Sequence, residues 1–596
     1  MGFPLACGSM VRRIPPTAQE SPMASSTQRM KIGDFLLRRL EEAGIRHLFG
    51  VPGDYNLTLL QQLHDAKKMN WIGTTGELTA SYAADGYARL KGLGALLVTN
   101  GVGPLSAING VGGAYAEHVP VICIAGSIPL RSIDRGLGMH HTMADGNFDH
   151  FLNAYKPVTI AQARITPRNA VAEIDRLILT AWREKLPVYM EFPSDIAYLD
   201  IEVPAPPLML AEPASDPERL RSCVAALAER LAAAKSAAIL VDTDADRFGV
   251  ASELMELANK LQAPLAVINA AKGVIDESSP HYVGIYAGKA SEPGVCETIE
   301  SSDCLLAIAY RPIEVTTGDF SASLPANTIH ARAHSLDIGH DNYQAVTLKE
   351  VLRGVIDAVP QVSHRAPRRL AAAAMSSADI DADAKLTQAF YWPAIQRYLR
   401  PGDVLYVDNG TSFSLLGLRL PPRCTFIGSI NWGSIGYSVG ALLGALIAAP
   451  ERRHILLIGD GSFQVTAQEL STILRHDLKP VILLINNGGY TIERGYLGKT
   501  EPYNDVANWS YADLPKVLRP DTSARSFLVK TGVDLQNALG TPNDTLIFVE
   551  SIMDSCDAPA PVTRSSNLGA EMDYGPTGPQ HREGLQLRPA KPQLSA

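Results

Sequence analysis

Hydrophobic and polar positions change their spacing twice between residues 454 and 493. A short apolar run at 455–458 is followed by apolar residues at helical spacing, from 465 to 474, and then by a second apolar run at 481–485. Short apolar runs are typical of buried strands, and a spacing of about three to four residues is typical of a helix. The pattern therefore predicts a strand–helix–strand unit. Because such crossovers are right-handed and join parallel strands, the residues just past both strands should lie at one edge of the sheet.

Asp460 and Asn487 are the polar residues that follow these two strands, and glycines surround both of them. A small hard cation such as Mg²⁺ prefers oxygen ligands, of which proteins supply a few while phosphates and water supply the rest. Gly461 and Ser462 begin the predicted helix, so its free N–H groups and the positive end of its dipole face the same space. The pattern indicates a metal-bridged diphosphate site. For each half taken alone, a simple glycine turn is the alternative.

The two halves of this motif, GDGS and NNGGYTIE, resemble the cofactor motif of thiamine-diphosphate (ThDP) enzymes, in the form found in pyruvate and indolepyruvate decarboxylases. The resemblance implies ThDP and Mg²⁺ as cofactors, with Asp460, Asn487 and the carbonyl of Gly489 as metal ligands. One departure is Gly488, where family members often carry a larger residue. The further cofactor-binding residues that the resemblance implies are Asn409, Thr411, Gly433, Ser434, Ile435, Gly461, Ser462 and Tyr490.

Composition narrows the classes of partner and compartment. Acidic residues outnumber basic ones, 62 against 53, which argues against a nucleic-acid or anionic-membrane surface. No apolar run reaches the ~18–20 residues that span a bilayer. The seven cysteines are scattered and form no CxxC pair, which indicates a reducing compartment, a cytoplasmic protein and no zinc site.

Repeated β–α patterns along the 596 residues predict an α/β fold of three open parallel-sheet domains. In the family's terms these are a pyrimidine-binding, a middle and a diphosphate-binding domain, expected at residues 30–202, 213–367 and 386–556. The predicted linkers are residues 203–212 and 368–385. No GxGxxG fingerprint follows a strand of the middle domain, so bound nicotinamide or flavin is not supported and we interpret this domain as structural rather than regulatory.

The two ends of the chain are rich in proline, serine and other residues that disfavour a packed core. We expect residues 1–29 to be a disordered leader and residues 557–596 to be a disordered tail. Met23 and Met30 are alternatives to Met1 as the start of translation.

Candidate catalytic residues lie in three stretches of the first domain. A proline–glycine turn presents Asp54 at the end of a strand, although Asp54 could equally cap the next helix. Glu77 lies in the first turn of an alanine-rich helix, where a glutamate ordinarily complements the helix dipole. His140 and His141 are adjacent in a loop, where histidines are most often solvated. Zinc stays an alternative there, although no third ligand stands at a usual spacing.

The resemblance gives these residues catalytic roles. It implies that Glu77 drives the cofactor's aminopyrimidine into its imino tautomer, and a carboxyl in a dry pocket favours the neutral form that such proton sharing needs. Asp54, His141 and Glu493 form the implied proton-handling set, and His140 is the other active-site histidine. Because carboxylates would cluster near one pocket, we expect their titrations to be coupled.

The activity implied is the non-oxidative decarboxylation of a 2-oxo acid to an aldehyde and CO₂. The family builds each active site between two subunits, so the resemblance implies a homodimer or homotetramer. The implied substrate-pocket residues are Phe413, Ser414, Ile492 and Tyr496. Phe413 and Tyr496 would narrow the pocket and Ser414 would widen it, which favours pyruvate or a small aliphatic acid. One methylene is worth only ~1–3 kcal/mol in such a pocket, so we expect several 2-oxo acids to react.

Three alternatives differ from this interpretation. A phenylpyruvate or indolepyruvate decarboxylase would differ only in the size of its pocket. A carboligase of the acetolactate-synthase kind would share the cofactor site but would not be expected to carry the histidine pair together with Glu493. A catalytically inactive scaffold would be expected to lose Glu77 or the metal ligands, and the sequence keeps both.

Overall fold

The computed structural model describes residues 26–361, 381–582 and 584–585. The predictions for residues 1–25, for residues 368–380 of the second linker and for residues 583 and 586–596 of the tail lie outside this part of the chain. Within it the backbone forms three large sheets, of six, seven and six strands. This confirms the predicted α/β fold of three domains with mostly parallel sheets. Among the described residues, no helix has both the length and the apolar character that crossing a bilayer requires.

The first domain is a parallel sheet with helices on both faces. Its strands, of which the first and last form a separate two-stranded sheet, are β1 (Thr27–Lys31), β2 (His47–Gly50), β3 (Asn70–Gly73), β4 (Gly94–Val98), β5 (Val121–Ser127), β6 (Ala161–Arg164), β7 (Val188–Pro193) and β8 (Asp200–Pro204). Its helices are α1 (Ile32–Glu42), α2 (Leu57–Ala66), α3 (Glu77–Lys91), α4 (Val102–Ala116), α5 (Leu130–Asp134), α6 (His150–Ala154) and α7 (Ala170–Glu184). The sheet has the order β3-β2-β4-β5-β7-β6.

The strand β1 corrects two predicted boundaries. It pairs antiparallel with β8, with Thr27 opposite Pro204. The predicted disordered leader is therefore wrong for residues 27–29, and the predicted linker at 203–212 begins inside β8. The local sequence of β1 is polar, and the strand is held by pairing with residues far away in the chain, which composition does not reveal.

The middle domain has a mixed sheet. Its strands are β9 (Ala237–Val241), β10 (Leu265–Ile268), β11 (Tyr282–Tyr286), β12 (Cys304–Ile308), β13 (Ile329–Arg332), β14 (Ser335–Ile338) and β15 (Asp341–Gln344). Its helices are α8 (Pro217–Ala233), α9 (Asp244–Arg247), α10 (Ala251–Leu261), α11 (Val295–Glu300), α12 (Glu314–Thr317) and α13 (Leu348–Ala358). The strands β9 to β13 pair in parallel, whereas β14 and β15 extend the sheet as an antiparallel edge.

The last domain is again fully parallel. Its strands are β16 (Val404–Val407), β17 (Thr425–Gly428), β18 (His454–Gly459), β19 (Val481–Asn486), β20 (Arg525–Val529) and β21 (Ile547–Ile552). Its helices are α14 (Gln388–Tyr398), α15 (Tyr437–Ala448), α16 (Asp460–Thr466), α17 (Leu470–Arg475), α18 (Thr491–Tyr496), α19 (Leu514–Leu518), α20 (Gly532–Leu539) and α21 (Ala560–Tyr574). β18 and β19 are adjacent and parallel, as the hydrophobic pattern predicts, so Asp460 and Asn487 follow neighbouring strands.

The helix α21 overturns the prediction of a disordered tail for residues 560–574. It packs against α18, where Gly569 lies so close to the ring of Tyr496 that a Cβ would come within 2.6 Å of it. Val562 and Ala570 are buried on the same helix. Serine, glycine and proline give α21 a low intrinsic helix propensity, and tertiary packing stabilises it instead.

The middle domain also holds the last domain in place through a buried ion pair. The Nζ of Lys272 lies 3.0 Å from Glu277 Oε1 and donates a hydrogen bond of 2.7 Å to the carbonyl of Leu418. Glu277 in turn accepts the N–H of Leu420 at 3.0 Å. These contacts anchor the segment that follows the 3₁₀ helix Thr411–Gly417.

The helices α3 and α15 join the first and last domains by direct backbone contact. A Cβ on Gly444 would lie 1.8 Å from the carbonyl oxygen of Ala83, and a Cβ on Gly86 would lie 2.1 Å from that of Ala441. Glycine at these positions removes the side chains that would hold the helices apart. The buried cores of the two domains therefore merge into one continuous cluster across this contact.

We predict that Gly444→Ala destabilises the protein, because the added methyl group meets a backbone oxygen that cannot rotate away. The expected loss of unfolding free energy is about 1–3 kcal/mol, as for other overpacked cores. The matched control is Gly417→Ala, where no atom lies within 4 Å of the added Cβ. Thermal unfolding followed by circular dichroism should show a lower midpoint for Gly444→Ala alone, and equal midpoints for the two variants would contradict the packing argument.

Candidate active site

A buried carboxylate marks the edge of the last sheet. Asp460 begins α16 directly after β18 and is 1% exposed. Its Oδ2 accepts the N–H groups of Gly488 at 2.7 Å and Gly489 at 3.1 Å, and its Oδ1 accepts that of Gly461 at 2.7 Å. Burial raises the pKa of Asp460 to about 6, although the N–H donors oppose this shift. The carboxylate is thus held rigidly in a desolvated place.

Asn487 supplies a second oxygen, because it directly precedes Gly488, whose N–H donates to Asp460. Its Nδ2 donates to Thr491 Oγ1 at 2.8 Å, which fixes the orientation of the amide. Its Oδ1 is buried and has no hydrogen-bond partner among the described residues. A buried polar atom without a partner is costly, and a bound ligand removes that cost. This oxygen is therefore suited to a cation.

The loop after β16 adds further polar groups at the same edge of the sheet. Thr411 and Ser412 are buried there, and Ser462 Oγ donates to the carbonyl of Asn409 at 3.0 Å. In the described part of the chain, Asn409 Nδ2 and Ser412 Oγ lack hydrogen-bond partners although both are buried. Oxygen ligands for a hard cation and unpaired donors for phosphate oxygens fit a Mg²⁺–diphosphate group.

The glycines of the loop after β19 have definite geometric roles. Gly488 has a φ of +72°, in the left-handed region, so the departure from the larger residue of the family suits this conformation. Gly489 has a φ of +142°, and a Cβ there would lie 2.0 Å from the carbonyl of Asn504. Tyr490 follows, and its ring lies against Gly461, where a Cβ would come within 2.5 Å.

In the segment before α15, residues 433–436, Ser434 makes contacts that the sequence analysis did not predict. Gly433 has a φ of +70° and Ile435 is half-buried, but the hydroxyl of Ser434 contacts the first domain. Its Oγ lies 2.6 Å from the hydroxyl of Tyr82 and accepts a hydrogen bond of 3.3 Å from Asn109. Ser434 therefore forms hydrogen bonds between the last and first domains of one chain, and its role in cofactor binding stays a prediction.

Asp408 explains how this segment is anchored. Its carboxylate accepts the N–H groups of Gly436 at 3.1 Å and Ser438 at 3.0 Å, together with the hydroxyl of Ser438 at 2.5 Å. Burial raises the pKa of Asp408. The sequence analysis did not single out Asp408, and its structural role emerges from these contacts.

The first domain brings together three residues that the sequence analysis singled out separately. His140 Nε2 lies 2.9 Å from Asp54 Oδ2, and the rings of His140 and His141 have their centroids 4.5 Å apart. Tyr55, which the sequence analysis missed, shares a hydrogen bond of 3.1 Å with His140 Nδ1. Asn100, also missed, donates to the carbonyl of His141 at 2.8 Å. Tyr55 could have been found from its position directly after Asp54.

Glu77 is the first residue of α3, as predicted, and residues of the last domain form hydrogen bonds with the loop before it. The side chain of Glu469 is fully buried, and its Oε2 accepts the N–H of Thr75 at 3.2 Å and the hydroxyl of Thr75 at 2.7 Å. Arg475 donates to the carbonyl of Gly73 at 2.9 Å. Glu469 and Arg475 lie on the segment that continues α16, a relation that no sequence motif indicates.

The predicted substrate-pocket residues divide between two elements. Ile492 and Tyr496 lie on α18 with Glu493, and α21 covers this helix. Burial raises the pKa of Tyr496 to about 12, and the partly desolvated carboxyl of Glu493 also has a raised pKa. Phe413 packs against the hydrophobic core, and the buried hydroxyl of Ser414 has no partner among the described residues. The pocket role of these two stays a prediction.

The candidate residues thus form three groups within one chain. They are the Asp54–histidine cluster, Glu77 with its loop, and the Asp460–Asn487 edge with α18. The polar contacts of His140 run to Tyr55 and Asp54, and the amide of Asn487 donates to Thr491, so these side chains are held by residues of their own groups.

Comparison with known proteins gives matches over most of the chain. The N-terminal TPP binding domain of thiamine pyrophosphate enzymes matches residues 30–150, their central domain matches residues 224–359, and their C-terminal TPP binding domain matches residues 410–539. A pyruvate decarboxylase of Aspergillus terreus is 38% identical, over 90% of this chain and 97% of the relative. An alpha-keto-acid decarboxylase of Mycobacterium leprae is 37% identical, over 89% of this chain and 94% of the relative.

We predict that Thr75→Val loosens the loop before Glu77, because the substitution removes the hydroxyl that Glu469 accepts and leaves the shape nearly unchanged. A net hydrogen-bond contribution of about 1 kcal/mol corresponds to roughly fivefold faster amide exchange in the loop. Thr75→Ser is the control, since it keeps the hydroxyl. Hydrogen–deuterium exchange of a peptide that covers residues 73–77 measures the effect, and equal exchange in both variants would argue against the contact.

Proposed function

Because the chain belongs to the thiamine pyrophosphate enzyme family, we propose that it catalyses the non-oxidative decarboxylation of a 2-oxo acid to an aldehyde and CO₂ with ThDP and Mg²⁺. The observation that carries this proposal is the buried carboxylate of Asp460 near the unpartnered Oδ1 of Asn487. The similarity to a pyruvate decarboxylase and an alpha-keto-acid decarboxylase supports the same reaction class.

The last domain provides the groups for the cofactor. Asp460, Asn487 Oδ1 and the carbonyl of Gly489 would hold Mg²⁺. The polar side chains after β16 and the N–H groups at the start of α16 would bind the diphosphate. Bound ThDP supplies a nucleophilic carbon and an electron sink for the decarboxylation. The residues that complete the cofactor site in this proposal are Asn409, Thr411, Gly433, Ser434, Ile435, Gly461, Ser462 and Tyr490.

The protein's own part in the chemistry is proton handling. Glu77 would share a proton with the cofactor's ring, and the hydrogen bonds from Thr75 to Glu469 hold the loop that precedes Glu77. Tyr55 contacts Nδ1 of His140 and Asp54 contacts its Nε2, so the orientation of the imidazole ring is fixed. The raised pKa of Glu493 keeps a proton on this carboxyl at a pH where an ordinary glutamate has lost it, which suits a donor.

A second copy of the chain completes the site in this proposal. Because the resembling family builds each active site between two subunits, we propose a homodimer or a homotetramer. Exposed apolar side chains support an interface, since Val102 and Leu105 on α4 and the ring of Trp432 are open to solvent in a single chain. The six cysteines among the described residues are all free, which supports a reducing, cytoplasmic location.

We propose pyruvate or another small aliphatic 2-oxo acid as the preferred substrate. Tyr496 and Ile492 narrow the space beside Glu493, and α21 covers the helix that carries them. The test is aldehyde release in an alcohol-dehydrogenase-coupled assay with pyruvate, 2-oxobutyrate, 2-oxoisovalerate, phenylpyruvate and indolepyruvate. The highest kcat/KM for a small acid supports the proposal, and an aryl acid in first place overturns the preference. Acetolactate in place of aldehyde would move the protein to the carboligases.

We predict that Glu77→Gln lowers kcat by about 10²–10⁴-fold, the usual range for the loss of a positioned acid–base group. Retention of Mg²⁺–ThDP should change little, because the metal and diphosphate groups lie on the other domain. The control is Glu229→Gln, on an exposed position of α8. Steady-state kinetics and cofactor titration by intrinsic fluorescence measure the two quantities, and near-normal turnover would exclude the proposed role.

We predict that Mg²⁺ binding weakens below about pH 6. Metal binding needs the deprotonated carboxylate of Asp460, whose pKa in the metal-free protein is about 6. Protons therefore compete below that pH, and the apparent Kd for Mg²⁺ should rise by up to about tenfold per pH unit. Titration of Mg²⁺ in the presence of ThDP from about one pH unit below that pKa to about one and a half units above it measures the slope.

The free energy of unfolding of the metal-free protein should decrease as pH rises, whereas the affinity for Mg²⁺ should increase. The folded-state pKa of Asp460 is raised above its ordinary value of 3.8, so the folded protein holds a proton that the unfolded chain releases. Stability should then fall by up to about 3 kcal/mol as pH rises from about 4 to about 6. Asp460→Asn is the control, since it should remove this contribution, and an unchanged pH profile in that variant would contradict the assignment.

A further inference from the structure

The structure places Asp54 beside His140 and His141, which lie in the loop after α5. Asp54 is thus a possible third metal ligand, although it is distant from the histidines in the sequence. One nitrogen or oxygen atom from each of Asp54, His140 and His141 lies within 4.8 Å of the others. The closest pair, His140 Nε2 and Asp54 Oδ2, is 2.9 Å apart. Two imidazoles and one carboxylate are a ligand set that zinc and other divalent transition metals use in proteins.

Contacts behind the ligands orient them. The hydroxyl of Tyr55 bonds His140 Nδ1 and leaves Nε2 directed at Asp54, which is the arrangement that usually fixes a metal-binding imidazole. Asn100 holds the carbonyl of His141, whose backbone has a φ of +57°. The Nδ1 of His141 is buried and has no hydrogen-bond partner in the described part of the chain. A lone pair is therefore available at that nitrogen when it carries no proton.

The geometry needs only small adjustments. Around a tetrahedral zinc ion with bonds of ~2.0–2.1 Å, neighbouring ligand atoms lie about 3.3 Å apart. The side chains of Asp54 and His140 are 50% and 59% exposed, so they can rotate toward a shared ion. Their exposed side also leaves room for water or an anion as the fourth ligand.

We propose that Asp54, His140 and His141 form a binding site for a divalent transition-metal ion such as Zn²⁺, distinct from the Mg²⁺ site at Asp460. The bound ion occupies the lone pairs of the imidazoles and the carboxylate oxygen, so these groups no longer accept or donate protons. Zn²⁺ therefore inhibits turnover. Binding of the metal is independent of the proposed function, whereas inhibition rests on it.

The direct test uses Co²⁺ as a spectroscopic substitute for Zn²⁺ on the protein loaded with Mg²⁺ and ThDP. The wild type should develop the visible absorption of low-symmetry Co²⁺–imidazole coordination, and added Zn²⁺ should abolish it. His140→Gln and Asp54→Asn should weaken binding by more than the ~10–100-fold that the loss of an outer partner costs, and Tyr55→Phe should stay within that range. Absence of the band, or an equal band in His140→Gln, overturns the site.

His150→Gln is the matched control. His150 lies in the same region and pairs with Asp145 at 2.6 Å, but its pair is not part of the three-ligand cluster. This variant should keep the Co²⁺ band and wild-type affinity. Thermal unfolding of all the variants checks that each is folded, and a lost band in His150→Gln would show that the signal does not come from the proposed ligands.

Inhibition by Zn²⁺ is measured on the wild type at two Mg²⁺ concentrations. An inhibition constant that does not change when Mg²⁺ is raised tenfold supports the histidine site, because a Zn²⁺ ion that displaces Mg²⁺ at Asp460 would be outcompeted. Relief by Mg²⁺ overturns the inhibitory role. If the protein shows a Co²⁺ band that depends on His140 but releases no aldehyde from any 2-oxo acid, the metal site stands and the proposed function fails.

Discussion

The backbone contact between α3 and α15 is the constraint on which the candidate site depends. Both helices begin next to candidate residues, α3 at Glu77 and α15 directly after the segment 433–436, and the glycines at their contact bring the two backbones together. Buried polar contacts fix the same relation, since Tyr437 donates its hydroxyl to Asp85 and Arg89 donates to the same carboxylate at 2.7 Å. The position of Glu77 is therefore a consequence of how two domains pack.

Two buried carboxylates at the edge of the last sheet have similar surroundings and different consequences. Asp408 receives hydrogen bonds from both the backbone and the hydroxyl of Ser438, so its oxygens are satisfied by the protein. The carboxylate of Asp460 accepts only backbone N–H groups, those of Gly461, Gly488 and Gly489, and the nearby Oδ1 of Asn487 is buried without a hydrogen-bond partner among the described residues. The first arrangement anchors a segment, whereas the second leaves an oxygen for the proposed cation.

The sequence predicts the parts of this structure that depend on local pattern. The apolar runs at 455–458 and 481–485 define β18 and β19, and the parallel crossover then places Asp460 and Asn487 at one edge. Contacts between distant residues are the parts that it misses. Glu469 reaches Thr75 only because the first and last domains pack together, and β1 exists only by pairing with β8. The helix α21 likewise owes its order to α18 rather than to its own composition.

Ligand chemistry separates the two proposed ion sites of this chain more sharply than charge does. Each has one carboxylate, Asp460 in the last domain and Asp54 in the first. The partners of Asp460 are an amide oxygen and a backbone carbonyl, which suit Mg²⁺, whereas the partners of Asp54 are imidazole nitrogens, which Mg²⁺ binds poorly and Zn²⁺ binds well. Mg²⁺ in excess can therefore fill one site and leave the other free for proton transfer. The same nitrogen lone pairs that make the histidines useful in proton transfer also make them vulnerable to a softer metal.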